Sequence, residues 1–111
     1  MEGVKIDDAV IIFKIPKVYR PDLTDAGILE VTSRAWKLGK RREKAQYAFA
    51  VHQAKVVGVY SIIQWHEDEQ EPKRWAFDGK PAPNHIRNKY LDHTVVKYTK
   101  GTYGPILYVN C

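Results

Sequence analysis

Cysteine is almost missing from this chain: Cys111, the final residue, is the only one. One thiol cannot staple a chain to itself, so a disulfide scaffold is excluded and nothing points to secretion. Serine is scarce as well. Ser33 and Ser61 are the only two, and neither stands in the strand–turn–helix elbow of a serine nucleophile. The four histidines, His52, His66, His85 and His93, never fall four apart, and no Cys-x-x-Cys pair exists. Metal-ligand spacing is therefore lacking, and no metal or other cofactor is expected. Gly101 and Gly104 lack the following lysine and helix of a phosphate loop. No apolar run approaches the roughly 20 residues that span a bilayer. The opening MEGVKIDDAVIIFKI is acidic at its start and carries a lysine in its apolar part, unlike a signal peptide. These absences lead to the expectation of a cytoplasmic domain without a membrane partner. At 111 residues it forms one domain with its own core.

Positive charge is what the chain has in excess. Lysine and arginine number 18 against 13 acids, a net charge of +5. The stretch RAWKLGKRREK, residues 34–44, holds six cations (Arg34, Lys37, Lys40, Arg41, Arg42 and Lys44) and one acid, Glu43. Its net charge equals that of the whole chain, so the remainder is neutral in sum. Cations at a helix end complement the helix dipole, which accounts for two or three of them. The rest repel one another unless an anion faces them, and a polyanionic partner is the reading that uses them all. The acidic run HEDEQEP, residues 66–72, is the alternative neighbour within the chain. It reads as a solvated loop, because successive carboxylates repel and stay wet.

Hydrophobic patterning supplies the fold. VIIFKI, residues 10–15, is β-branched and aromatic and reads as a strand stopped by Pro16. Asp22 or Thr24 caps a helix whose apolar face carries Ile28, Leu29, Ala35 and Trp36 and which runs to Trp36 or Lys37 before Gly39. YAFAVH and VVGVYSIIQW flank a short turn and predict a β-hairpin. The second strand is apolar on both sides, with Val57, Val59, Ile63 and Trp65 opposite Val56, Tyr60 and Ile62, as in a central strand. RWAFDG, residues 74–79, is a further strand, APNHIRNKYLD a short helix with Asn84 as N-cap, TKGTYGP a loop, and ILYVN a closing strand. Strands that mostly follow one another, with two helices, define an α+β class: a small, curved, mostly antiparallel sheet of about five strands, or a barrel.

Tryptophan is the remaining signal. Trp36 borders the basic stretch, Trp65 ends the central strand, and Trp75 follows Arg74 at the start of the next. Aromatic rings beside a basic groove hold unpaired bases by stacking. A protein-interaction role and an enzyme built from distant groups such as His52, Tyr60 and Asp78 are the rival readings.

The runs YRPDLTDAGILEVTSRAWKLGKRREKAQYAFAVHQAKVVGVYSIIQWH and RWAFDGKPAPNHIRNKYLDHTVVKY, with PILYVN, resemble a small bacterial domain of uncertain function. That domain is found alone or beside nuclease domains of the GIY-YIG type. In overall pattern the chain is also similar to PUA-like barrels, some of which sense modified bases. The resemblance implies a non-catalytic nucleic-acid-binding module, with a base-sensing pocket and a nuclease protein partner as extensions of that role. Its matching positions are Arg34, Trp36, Lys37, Lys40, Arg41, Arg42, Arg74 and Trp75, to which the charge and aromatic patterns add Lys44 and Trp65. The family pattern has glycine where this chain has Ala54, and alanine resists positive φ.

Overall fold

The computed structural model describes residues 3–15, 24–33, 36–71, 73–102 and 104–111, without the side chains of Asp25, Ala26, Glu30, Val31 and Arg41. Strands β1 (Val10–Lys14), β2 (Tyr47–His52), β3 (Lys55–Glu67), β4 (Trp75–Pro81) and β5 (Ile106–Val109) form one curved sheet in the order β4-β3-β2-β1-β5. The sheet is open, with β4 and β5 as its outer strands, so the barrel form of the expectation does not occur. Three neighbouring pairs are antiparallel, and β1 with β2 is parallel. A parallel pair needs a long crossover. The crossover here carries α1 (Asp25–Thr32) and a 3₁₀ helix (Lys40–Lys44). After β4 come α2 (Asn84–Tyr90) and α3 (Val96–Thr99), the latter in addition to the two helices expected.

The sheet buries both faces. On one, Val10, Ile12, Phe49, Val51, Val56 and Val59 pack with Ile86 and Tyr90 of α2. On the other, Ile11, Phe13, Ala48 and Phe77 adjoin a cluster of Ile15, Ile28, Ala50 and Tyr60, where Ile28 brings in α1. Two bulges in β3 set which residue goes where. Ala50 faces Gly58 and Val51 faces Val56, which leaves Val57 as the extra residue. Ile62 faces Gly79 and Gln64 faces Asp78, which leaves Ile63 extra. Each extra residue resets the alternation of side chains. Val56 and Val59 therefore share one core while Val57 joins the other, and Ile62 and Trp65 pack together while Ile63 is 61 % exposed. Simple alternation groups Ile63 with Val57 and Val59; the bulges overturn that grouping.

Local chemistry explains the element ends. The Thr24 hydroxyl accepts the Gly27 N–H at 3.1 Å and caps α1; Asp22 lies outside the described residues. The helix stops at Thr32, earlier than its apolar spacing suggests. Trp36 Nε1 donates to the Thr32 carbonyl at 2.6 Å, and the Ser33 carbonyl accepts the Phe77 N–H at 2.8 Å. These bonds satisfy carbonyls that a helix end leaves open. At α2 the N-cap is Pro83, not Asn84, and no side chain caps it. In the β2–β3 turn, Gln53 and Ala54 have φ of 51° and 64°. Positive φ at both central residues is the condition of a type I′ turn, whose twist suits a hairpin. The Ala54 carbonyl accepts from Val95 N–H at 2.7 Å, which anchors the turn despite the alanine.

The acidic stretch is more ordered than a solvated loop. β3 continues to Glu67, and Asp68 is 4 % exposed. Its Oδ1 accepts the N–H groups of Gln70 and Glu71 at 2.9 and 3.1 Å, while Asp68 N–H donates to the Arg74 carbonyl at 2.9 Å. The short side chain, by bonding to backbone donors, buries a carboxylate that repulsion alone would keep in water.

Candidate nucleic-acid interface

The basic stretch begins on the edge of the sheet. Trp36 N–H donates to the Trp75 carbonyl at 3.0 Å, and Trp75 N–H donates to the Trp36 carbonyl at 2.7 Å. Leu38 packs on the core beside Trp36. The chain then winds into the 3₁₀ helix, and Gln46 N–H donates to the Ala9 carbonyl at 2.8 Å before β2 starts. Both ends of the segment are thus tied to the sheet.

Its cations divide into two kinds. Arg42 turns inward. Its guanidinium carbon lies 3.6 Å from the centre of the Trp75 ring, Nη1 donates to the Gly39 carbonyl at 2.8 Å, and Nε is 3.4 Å from Glu43 Oε1. Lys37, Lys40 and Lys44 are exposed and make no ion pair among the described residues. Arg41 belongs to the 3₁₀ helix, but its side chain, like all of Arg34, lies outside the described residues. Arg74, which precedes Trp75 in the chain, has Nε 3.8 Å from Glu71 Oε1 in the acidic turn.

The tryptophans differ in the same way. Trp36 packs its ring 4.7 Å from Phe13, and Trp65 meets Phe77 edge-on at 5.2 Å. Both pack, partly buried, against the second core cluster, and Trp65 Nε1 is buried there without a hydrogen-bond partner among the described residues. Trp75, at the head of β4, packs against none of the three clusters among the described residues. The structure therefore brings Trp36, Arg42 and Trp75 together with the three exposed lysines. It places Trp65 behind them in the core and Arg74 in the neighbouring turn.

A polar cluster that sequence reasoning missed lies across β3 and β4. His66 Nε2 is 3.3 Å from Asp78 Oδ1, and Gln64 Nε2 donates to Asp78 Oδ2 at 2.7 Å. It borders a cleft of about 260 Å³ lined by Ser33, His66, Asp68, Glu69 and Asp78 over the ring of Phe77. The His66 pKa is raised, first by the Glu67 carbonyl 2.9 Å from Nδ1, against a lowering by burial, and then by the Asp78 carboxylate. Only the strand register brings these residues together, since Gln64 faces Asp78 across a bulge. The rival triad of His52, Tyr60 and Asp78 does not assemble. His52 pairs with Lys55 and Asp78 with Gln64, nine positions apart on β3, about 30 Å at roughly 3.3 Å per residue. Among the described residues no three of His, Cys, Asp or Glu are placed to hold a metal ion, and no helix is long and apolar enough to cross a membrane.

The fold and the basic edge define a small α+β domain with a cationic strip beside an edge strand. No protein-family model matches this chain, no curated protein matches it, and no solved structure matches it.

Proposed function

We propose that this domain binds nucleic acid without catalysing a reaction, and that it does so by holding backbone phosphates along residues 37–44. The observation that carries the reading is the set of three exposed ammonium groups, Lys37, Lys40 and Lys44, without an ion pair among the described residues and on a segment fixed at both ends. The one acid in their midst, Glu43, already faces Arg42. Glu71 of the acidic turn faces Arg74 instead. Like charges held close together on a constrained backbone favour a ligand that supplies anions at regular spacing. A lysine ammonium suits this as a point charge on a flexible stem. Phosphate contacts fix position and carry no base information. Arg34 and Arg41 extend the strip in sequence and join the proposal on that ground.

The test is binding of labelled single-stranded and duplex oligonucleotides across a range of salt. Affinity should fall steeply. Lys37→Gln with Lys40→Gln and Lys44→Gln should flatten the log–log slope by about 0.9 for each duplex phosphate no longer neutralised, or about 0.7 for each phosphate of a single strand. Absence of binding by either oligonucleotide at low salt would sink the reading. Recovery of an acidic protein after nuclease treatment would point instead to a protein-interaction subunit of a larger nuclease or defence assembly.

A further inference from the structure

Resting on the nucleic-acid reading, we propose that Trp75 is a stacking platform for one unpaired base and that Arg42 is its removable cover, so that the interface prefers single strands to duplex. Trp36 spends its indole N–H on the Thr32 carbonyl and its ring on Phe13, and Trp65 is packed on Phe77. Trp75 has no such commitment to the core. Among the described residues its ring contact is the Arg42 guanidinium, a flat, delocalised cation 3.6 Å from the ring centre. A planar group at that separation occupies the position a stacked base would take.

The cover is held by few polar bonds. The Arg42 side chain is 12 % exposed, yet among the described residues it makes beyond the ring one hydrogen bond, to the Gly39 carbonyl, and a 3.4 Å pairing with Glu43, whose own side chain is 61 % exposed; its buried Nε has no hydrogen bond there. Arg42 lies in the same 3₁₀ helix as Lys40 and Lys44, where the proposal places phosphates. When a strand arrives, Arg42 exchanges the ring for a phosphate oxygen and so keeps an electrostatic partner. The ring exchanges a cation for a base, so that a stacked base and a new Arg42–phosphate contact together replace one cation–π contact. A duplex stacks its bases on one another and offers none to the ring. It engages the lysines alone.

The experiment measures binding of an oligothymidylate of about 12 nucleotides, within the site size of single-strand binders, and of a duplex of equal length. Anisotropy of labelled strands and tryptophan emission with unlabelled strands are the readouts. The single strand is expected to quench emission. Trp75→Leu should abolish the quench and weaken single-strand binding about tenfold while duplex affinity stays within about twofold, tenfold being the lower part of the range stacking supplies. Arg42→Gln, which removes the cover and its phosphate contact together, should keep the quench and the preference for single strand over duplex. Trp75→Phe, which keeps a ring and the backbone pairing with Trp36, should retain part of the preference and serves if Trp75→Leu fails to fold. Equal weakening of both ligands by Trp75→Leu, or a quench that survives it, overturns the platform. Salt-dependent binding without any quench overturns the platform alone, whereas no binding of either strand overturns the nucleic-acid reading with it.

Discussion

Trp36 and Trp75 exchange two backbone hydrogen bonds, of 3.0 and 2.7 Å, and so bind the start of the basic stretch to the outer strand of the sheet. The pairing has two effects. It occupies edge groups of β4 that would otherwise be open to another chain, and it ties the segment that carries the exposed lysines to the strand that carries Trp75. The Trp36 side chain strengthens the arrangement by closing α1 through Thr32. Trp36→Ala should therefore cost about 2–4 kcal/mol, somewhat below the range for a fully enclosed aromatic, because the ring is half-buried. Urea unfolding measures this through the midpoint. A change below about 0.5 kcal/mol, the usual size for surface positions, would show that the ring does not anchor the segment.

The β2–β3 turn holds an avoidable strain. Ala54 has φ of 64°, a region glycine enters freely and alanine does not. Ala54→Gly should stabilise the domain by up to about 1 kcal/mol, the left-handed cost relieved less the added freedom of the unfolded chain. The readout is a higher Tm in thermal unfolding. A lower Tm would mean that the alanine methyl makes contacts worth more than the strain.

The second bulge predicts a contrast between neighbours. Ile63→Ser should stay within about 0.5 kcal/mol of the parent, as exposed positions do. Val59→Ala should cost about 2–3 kcal/mol, because it opens a cavity in a closed core; Val59 is 1 % exposed. Guanidinium unfolding of the two variants side by side checks the register. Equal sensitivity at both positions would rule out a bulge at Ile63.

His66 should give the domain a pH dependence of definite sign. Its folded pKa is raised above the ordinary 6.5 by the Glu67 carbonyl and by Asp78. The folded state then holds the proton more tightly than the unfolded chain. The extra stability is fully present below about pH 6.5 and is lost as pH rises through the raised folded value. His66→Gln should remove that slope from about pH 6.5 upward. Proton NMR of the imidazole follows the titration directly, and a midpoint below that of an unfolded peptide would reverse the sign.

Strands were legible because their composition is unambiguous. The β-branched run at 10–15, the alternation at 47–52 and the doubly apolar run at 56–65 each permit one reading, and β1, β2 and β3 stand there. The parallel pairing of β1 with β2 was not legible, since register between distant strands leaves no local trace. Nor were the bulges, which alter alternation by a single residue and look like ordinary apolar runs. The basic stretch was plain as charge. Its division into an inward Arg42 and outward lysines depends on the Trp75 ring, more than thirty positions away in sequence. The His66–Asp78 pairing escaped for a similar reason: neither residue stands in a motif, and the bulge decides that they meet.

The crossover between β1 and β2 also fixes an order of assembly. β2, β3 and β4 form a meander of sequential neighbours that closes short loops. β1 can join only at the side of β2, and β5 only at the side of β1, where Val10 meets Val109 across nearly the whole chain. Contacts of such long range are slow to form, because loop closure precedes any gain from them. A growing chain can therefore complete the meander, and with Trp75 in place attract Trp36, well before its two ends meet. Trp36 and Trp75 lie 39 positions apart and Val10 and Tyr47 lie 37 apart, so the cationic strip and β1 both belong to the early part of this sequence, and β5 alone to the late part. Nucleic acid present during synthesis would meet lysines already arrayed on a sheet still lacking β5.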